Sequence, residues 1–191
     1  MNRRKAIFGI FLGTAGIAGS ALGYRWWKLL RSPDLPYLEQ NRILIGALAE
    51  SIIPRTDSPG ATDAGVETFI IKMIRHCTPV KEQNNFIEGL KDLREFCHNQ
   101  YGLPYPDCSE AQQQQTLEHF EKAADPMQGR AGKLMLRLTG RPFFRILKDY
   151  TVEGFCTSEP GATKGLAYLY IPGSFHGCIP LEKDQKTWAT N

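Results

Sequence analysis

Apolar residues recur at helical spacing along most of the chain. In residues 38–53, Leu44, Leu48 and Ile52 stand four positions apart, which places them on one face of a helix. Pro54 is expected to end this helix, because a proline disfavours the helical conformation of the residue before it. The pattern therefore predicts a first helix followed by a loop rich in turn residues.

Two more helices are predicted after this loop. Asp63 is expected to cap the second helix. The apolar side of the second helix is formed by Val66, Phe69, Ile70, Met73, Ile74 and Cys77. Thr78 and Pro79 indicate a cap and a proline at the first position of the third helix, which runs to about Asn99. The inward residues of the third helix are expected to be Ile87, Leu90, Leu93 and Cys97.

A capping-box pattern begins the fourth helix. Ser109 and Gln112 have the spacing at which each side chain bonds the backbone N–H of the other residue. This helix is expected to run to about residue 124, before an Asp-Pro break. Two further helical stretches are predicted around 130–139 and 141–155. The predicted fold class is therefore all-α, a compact bundle of about five or six helices.

The C-terminal part of the chain has a different composition. Residues 154–191 contain eight glycines and prolines in 38 positions, and no strand pattern continues for long. Long irregular segments inside compact domains are usually functional. The aromatic residues of this part are Tyr168, Tyr170, Phe175 and Trp188. We expect a long, irregular tail rich in glycine, proline and aromatic residues, which wraps the helices or a partner.

The N-terminus has the layout of an export signal. Arg3, Arg4 and Lys5 precede an uncharged, apolar run over residues 6–23, and small residues close that run. Adjacent arginines before a glycine-rich apolar run are typical of the twin-arginine type, which exports folded proteins. The chain is thus expected to be periplasmic. Cleavage after Gly23 and retention as a membrane anchor both remain open.

The predicted domain order follows from these segments. Residues 1–23 form the signal or anchor, 24–37 a linker, 38–181 the helical domain and 182–191 a C-terminal tail. The net charge of +3 arises within the signal, because the remaining residues carry 20 basic and 20 acidic side chains. This balance gives no support for binding to nucleic acid, which needs a basic surface.

Five cysteines occur, none of them in a Cys-x-x-Cys motif. Export to an oxidising compartment permits disulfides. Cys97 and Cys108 flank a short segment that can fold back, and Cys156 and Cys178 bracket the loop region near the C-terminus. These two pairs are the disulfide candidates, with Cys77 left over on an apolar stripe. The alternative is that all five are buried thiols.

No motif for catalysis or for a cofactor is present. The pairs His76-Cys77 and Cys97-His98 are helix neighbours whose side chains point about 100° apart, which is unsuited to binding one metal ion. Dinucleotide-binding and nucleophile-elbow motifs are absent. No catalytic, cofactor-binding or metal-binding residue is assigned, and an exported helical domain of this kind is expected to be an accessory subunit.

Two segments carry a more specific resemblance. The first is LAESIIPRTDSPGA at 48–61, with DAGV at 63–66. The second is FCTSEPGATK at 155–164, with IPGSFHGCIPL at 171–181. Both resemble the signatures of the gluconate 2-dehydrogenase subunit 3 family, of which a twin-arginine signal is also typical.

The resemblance implies a small, non-catalytic subunit of a membrane-associated dehydrogenase. In that family the partner is a flavoprotein large subunit of the glucose-methanol-choline type, which holds FAD, and a cytochrome c subunit with haem c often accepts the electrons. The small subunit supports folding of the large subunit and carries it to the twin-arginine (Tat) translocase. The alternatives are a membrane-anchored scaffold without a dehydrogenase partner and a stand-alone exported enzyme.

The resembling segments suggest a partner interface. The residues proposed for it are Pro54, Arg55, Thr56, Asp57, Glu159, Pro160, Tyr168, Tyr170 and Phe175. Prolines rigidify the loop and so reduce the entropy lost on docking, while the aromatic side chains suit pockets on a partner. The alternative is internal: Arg55 pairs with Asp57 or Asp63, and the aromatic side chains cover the core of the helices.

Overall fold

The computed structural model describes residues 27, 30–124, 130–168, 170–171, 173–174, 178, 180, 183 and 185–189. The helices are α1 (Pro36–Gln40), α2 (Arg42–Ile52), α3 (Val66–Cys77), α4 (Val80–Tyr101), α5 (Glu110–Ala124), α6 (Arg130–Thr139) and α7 (Phe143–Thr157). A 3₁₀ turn follows α4 at Tyr105–Asp107, and a π-helical turn follows α7 at Gly161–Gly165. No β-strand occurs within these ranges, so the predicted all-α bundle is confirmed.

The first predicted helix is divided in two. α1 and α2 meet at Asn41, whose backbone leaves the helical conformation with φ −110° and ψ 23°. The Asn41 side chain donates a hydrogen bond of 2.8 Å to the carbonyl of Tyr37, which fixes the bend. α2 ends at Ile52, two residues before Pro54, as the proline predicts.

Two predicted helix starts are corrected, and a third is confirmed. α3 begins after Gly65, which adopts the left-handed conformation with φ 65°, and Asp63 makes other bonds. α4 begins at Val80, so Pro79 is the N-cap residue itself and does not occupy the first helical position. The capping box of α5 forms as predicted, with Ser109 and Gln112 bonded reciprocally.

Helix α7 lies at the centre of the bundle. It packs against α2, α3, α4 and α5, and eight of its 15 residues are buried. The buried residues of α7 are Phe143, Phe144, Ile146, Leu147, Tyr150, Thr151, Gly154 and Phe155. A helix that is apolar on several sides is stable only when neighbours cover all of those sides. The core of the domain therefore forms around α7.

Polar contacts fix the turn between α6 and α7 against α4. Arg141 donates to Glu82 at 2.8 Å and to the Tyr150 hydroxyl at 3.2 Å. The side chain of Asn85 donates to the carbonyl of Thr139 at 2.9 Å. The C-terminal end of α6 is therefore attached to the bundle through hydrogen bonds from α4.

None of the helices in the described ranges is both long and apolar enough to cross a membrane. The predicted signal at 1–23, with Arg3 and Arg4, lies outside the described residues. The twin-arginine assignment and the choice between cleavage and anchoring thus stay predictions.

Candidate interaction surface

Glu50 organises the loop that joins α2 to α3, here called the Pro54 loop (residues 53–65). Its carboxylate accepts hydrogen bonds from the backbone N–H of Arg55 and of Thr62, both at 2.9 Å, and from the Thr62 hydroxyl. These bonds tie the two ends of the loop to α2. Gly60 lies close to Glu50, and a Cβ atom on Gly60 would lie only 2.7 Å from the carboxyl carbon and would displace the carboxylate from its present position.

Arg55 and Asp63 form a second connection across the loop. The guanidinium donates two hydrogen bonds to the carboxylate, one of them 2.7 Å from Nε to Oδ2. The N–H of Gly60 donates to the same oxygen at 3.1 Å. Asp57 instead accepts from Thr56, so Arg55 pairs with Asp63 and not with Asp57. This bidentate geometry orients Arg55 through a charge-assisted pair.

The tip of the Pro54 loop is open to solvent although its backbone is fixed. Pro54, Arg55, Thr56 and Asp57 are all exposed, and the Arg55 side chain keeps 69% of its surface accessible despite its pairing. A loop held by side-chain bonds at both ends loses little conformational entropy when it docks. These four residues therefore form a rigid polar edge that is available for binding.

We expect the ionisation of Asp63 to report on the geometry of the Pro54 loop. The Gly60 N–H, and secondarily Arg55, lower the pKa of this carboxyl below the ordinary 3.8. Because the folded pKa is depressed, the contribution to stability is present above the unfolded pKa and is lost as pH falls through the folded value. A carboxyl-carbon NMR titration of the wild type and of Arg55→Gln tests this. In Arg55→Gln the pKa of Asp63 should rise but stay below 3.8, because the Gly60 N–H still lowers it. A wild-type midpoint at or above 3.8 would contradict the assignment.

The turn after α7 depends on Ser158 and Gly161. The Ser158 hydroxyl donates to the Phe155 carbonyl at 2.7 Å and accepts from the Gly161 N–H at 3.0 Å. A Cβ atom at Gly161 would overlap the Phe155 carbonyl oxygen and lie 2.8 Å from its carbon. Within this turn Glu159 is exposed and Pro160 is half-buried. We call residues 158–166 the C-terminal turn.

The tail beyond the C-terminal turn folds back on itself. Ala167 pairs with Trp188 in an isolated parallel bridge, with two backbone hydrogen bonds of 2.8 Å. Tyr168 is exposed, and Tyr170 and Ile171 expose 84% and 74% of their surface. These side chains therefore do not cover the core of the helices. Ile171 and Trp188 were not among the sequence-predicted interface residues.

Phe175, which the sequence predicts to be an interface residue, lies outside the described residues. Ile171 could have been predicted from its position next to Tyr170. Two adjacent bulky apolar residues in a segment without strand or helix periodicity often form partner surface. Glu50 was also missed, since a single glutamate in a helical pattern does not reveal that its carboxylate binds a loop.

All five cysteines are free thiols, so both predicted disulfides are absent from the structure. The predicted proximity of Cys97 and Cys108 is correct, since the two thiols lie near enough for each to affect the pKa of the other. These thiols instead interact with the Thr116 hydroxyl and the Pro104 carbonyl. Both are buried.

The other three cysteines also differ from expectation. Cys156 is half-buried on α7 whereas Cys178 is exposed in the tail, and no bond joins them. Cys77 is exposed, because it is the last residue of α3, where the helix leaves the core. Its place on the apolar stripe of the sequence therefore does not bury it.

We expect the thiols to divide into fast and slow classes under reducing conditions. Alkylation requires the thiolate, and burial raises the pKa of Cys97 to about 11 and also raises that of Cys108. Exposed Cys77 and Cys178 should react first, and all five should react in urea. Mass spectrometry after timed iodoacetamide pulses would measure this. Labelling of native Cys97 as fast as Cys77 would contradict the buried placement.

Tyr105, which is buried in the 3₁₀ turn after α4, is hydrogen-bonded to both α2 and α5. The hydroxyl of Tyr105 donates to Ser51 at 2.9 Å, and Gln113 donates to the Tyr105 carbonyl at 3.1 Å. Burial raises the pKa of Tyr105 to about 12.

Within the described part of the chain, no group of three or more His, Cys, Asp or Glu side chains is placed to hold a metal ion.

Comparison with known proteins gives one family match. A family model described as gluconate 2-dehydrogenase subunit 3 matches residues 39–173, which include both the Pro54 loop and the C-terminal turn. No curated protein and no solved structure shows a significant match to the chain.

Proposed function

The chain belongs to the gluconate 2-dehydrogenase subunit 3 family, and from this membership we propose a specific role for it. It is the non-catalytic small subunit of a periplasmic, membrane-associated dehydrogenase. Its partner is a flavoprotein large subunit of the glucose-methanol-choline type, which holds FAD and oxidises a sugar or another alcohol. The small subunit supports folding of that partner and carries it through the twin-arginine translocase.

The observation that carries this proposal is the exposed apolar surface of the tail after the C-terminal turn. Tyr170 and Ile171 expose 84% and 74% of their surface, and Tyr168 and Trp188 expose 46% and 44%. Several exposed aromatic and aliphatic side chains in one segment favour a protein partner, because such residues become binding hot spots when they are desolvated. The bridge between Ala167 and Trp188 joins the two ends of this surface.

The Pro54 loop supports the same role through its charge and rigidity. Arg55 is held by Asp63 yet remains mostly exposed, so it can make a further charge-assisted hydrogen bond to a partner carboxylate or carbonyl. Glu50, on α2, fixes the loop by accepting hydrogen bonds from the backbone N–H groups of Arg55 and Thr62. We propose that this edge gives the interface its register, while the aromatic tail gives most of its affinity.

The N-terminal sequence supports export of the folded complex. Arg3 and Arg4 precede an uncharged apolar run, which is typical of the route that carries folded proteins. A large subunit that binds FAD in the cytoplasm must cross the membrane in folded form, so a small subunit with this signal suits a large subunit that lacks one. Electrons from the flavin then pass to an acceptor such as a cytochrome c subunit with haem c.

Deleting the gene and locating the large subunit tests the proposal. We expect the large subunit to be degraded or retained in the cytoplasm, with periplasmic oxidation of the sugar or alcohol lost. A variant with Arg3→Lys and Arg4→Lys should restore partner folding but not export, because lysine keeps the charge without the twin-arginine motif. A large subunit that reaches the periplasm in active form without this chain would refute the proposal.

A pair of surface variants tests the interface. Tyr170→Ser with Ile171→Ser should abolish co-purification of the large subunit while leaving the helical circular dichroism unchanged. The matched control is Ile43→Ser, which removes a side chain that is 80% exposed on α2. Equal loss of binding in both variants would contradict the assignment of the tail as the interface.

A further inference from the structure

Positive charge is concentrated in one segment of an otherwise acidic body. Residues 127–148 contain six arginines and lysines and no acidic residue. The rest of residues 24–191 carries six more acidic than basic side chains. Arg137 and Arg145 are exposed and have no ion-pair partner among the described residues, whereas Arg141 pairs with Glu82 and Asp149, and Lys148 pairs with Glu121. The cationic segment includes α6 and the first part of α7.

Helix α6 presents apolar side chains to solvent within this cationic segment. Leu134 and Leu138 lie four positions apart, on one side of the helix, and expose 58% and 46% of their surface. Arg137 is exposed beside them. In the described part of the chain no other helix packs extensively against α6. Its C-terminal end is attached by Lys81, which donates to the Leu138 carbonyl at 3.0 Å.

We propose that α6 binds an anionic lipid surface. A helix of ten residues is too short to span a bilayer, which takes about 20, so it lies in the plane of the interface. Leu134 and Leu138 enter the boundary between headgroups and acyl chains, and Arg137 stays among the phosphates. The contact is independent of the flavoprotein partner.

Charge favours a lipid surface over a protein as the occupant. Residues 127–148 contain no carboxylate that would fix the register of a protein partner, and Arg137 and Arg145 are exposed without an ion-pair partner in the described part of the chain. An anionic membrane attracts each nearby basic residue with about 1 kcal/mol and requires no matching geometry. Interleaved leucine and arginine on one short helix is the pattern of an interfacial helix.

Hydrogen exchange of the full chain with vesicles gives a local test. The N-terminal apolar run can itself enter vesicles, so the readout must be the amides of α6 and not total binding. We expect exchange in 130–139 to slow with phosphatidylglycerol-containing vesicles and not with pure phosphatidylcholine, and the protection to weaken at high salt. Equal exchange with and without anionic vesicles, or equal protection by both lipids, would overturn the proposal.

Matched variants separate the apolar and the charged contributions. The exposed surface of Leu134 and Leu138 together equals roughly that of one whole leucine side chain. The double variant Leu134→Ser with Leu138→Ser removes this apolar surface and should reduce the protection of α6 by about tenfold or more. Arg137→Glu should weaken it as well. Ile43→Ser and Lys72→Glu, at exposed positions on α2 and α3, should leave the protection of α6 unchanged. Protection that appears only with the large subunit would identify a protein contact and refute lipid binding.

Discussion

Gly89→Ala is expected to destabilise the fold by about 3 kcal/mol, which lowers the melting temperature by about 6 to 12 °C. A Cβ atom on Gly89 would overlap the Cβ and Cγ atoms of Phe143 and lie 2.8 Å from its Cδ2. The Phe143 ring cannot move aside easily, because it packs on Phe86 and Phe120 at centroid distances of 5.3 and 6.0 Å. Helices α4 and α7 would have to separate at the centre of the bundle.

Gly46→Ala is the matched control for this prediction. Gly46 also lies inside a buried helix, α2, but the nearest atom to its added Cβ would be 3.7 Å away, an ordinary contact. Alanine has a higher helix propensity than glycine, so this variant should gain about 0.5 to 1 kcal/mol. Urea unfolding of both proteins measures the difference. A Gly89→Ala protein as stable as the wild type would show that α4 and α7 do not approach as closely as described.

The helices could be predicted because their signals are local in the sequence. Apolar residues at a spacing of three and four identify the buried faces of α3 and α4, and Val66, Ile70, Ile87 and Leu90 are buried as expected. The start of α5 was also predictable, since the capping box lies within four consecutive residues beginning at Ser109.

Features that depend on tertiary contacts could not be predicted. The bend at Asn41 divides the stretch predicted as one helix, 38–53, and the left-handed Gly65 replaces a plausible cap at Asp63. Asp63 is unavailable because Arg55 and Gly60 occupy its carboxylate, and both lie in a loop whose path the sequence does not define. A local cap was thus displaced by bonds that form only in the folded loop.

The candidate site was predictable as a set of segments but not as a geometry. The sequence identified the tip of the Pro54 loop and left Asp57 and Asp63 as equal partners for Arg55. In the structure Arg55 pairs with Asp63, and Glu50 holds the loop backbone at Arg55 and Thr62. The bridge between Ala167 and Trp188 joins residues far apart in an irregular tail, where no periodicity predicts pairing.

Gly161→Ala is expected to release the tail from the bundle and, if the proposed function holds, to abolish binding of the large subunit. The added Cβ would overlap the Phe155 carbonyl oxygen, and a backbone atom at the end of α7 cannot move away without unwinding the helix. Gly161 does not adopt a positive φ, so the requirement for glycine is this close approach. The cost should be about 2 kcal/mol or more, concentrated in the C-terminal turn.

Limited proteolysis and co-purification with the large subunit measure this effect. The tail after the C-terminal turn should be cut sooner in Gly161→Ala, because the bond from Lys186 to the Lys164 carbonyl and the bridge at Ala167 depend on that turn. Thr163→Ala is the control, since it removes only the hydrogen bond from Thr163 to the Glu159 carbonyl. It should keep both the tail and the partner. If Gly161→Ala loses the partner while its tail stays intact, the C-terminal turn itself is the contact. If Gly161→Ala is cleaved and binds the partner like the wild type, the close packing of Gly161 on Phe155 is contradicted.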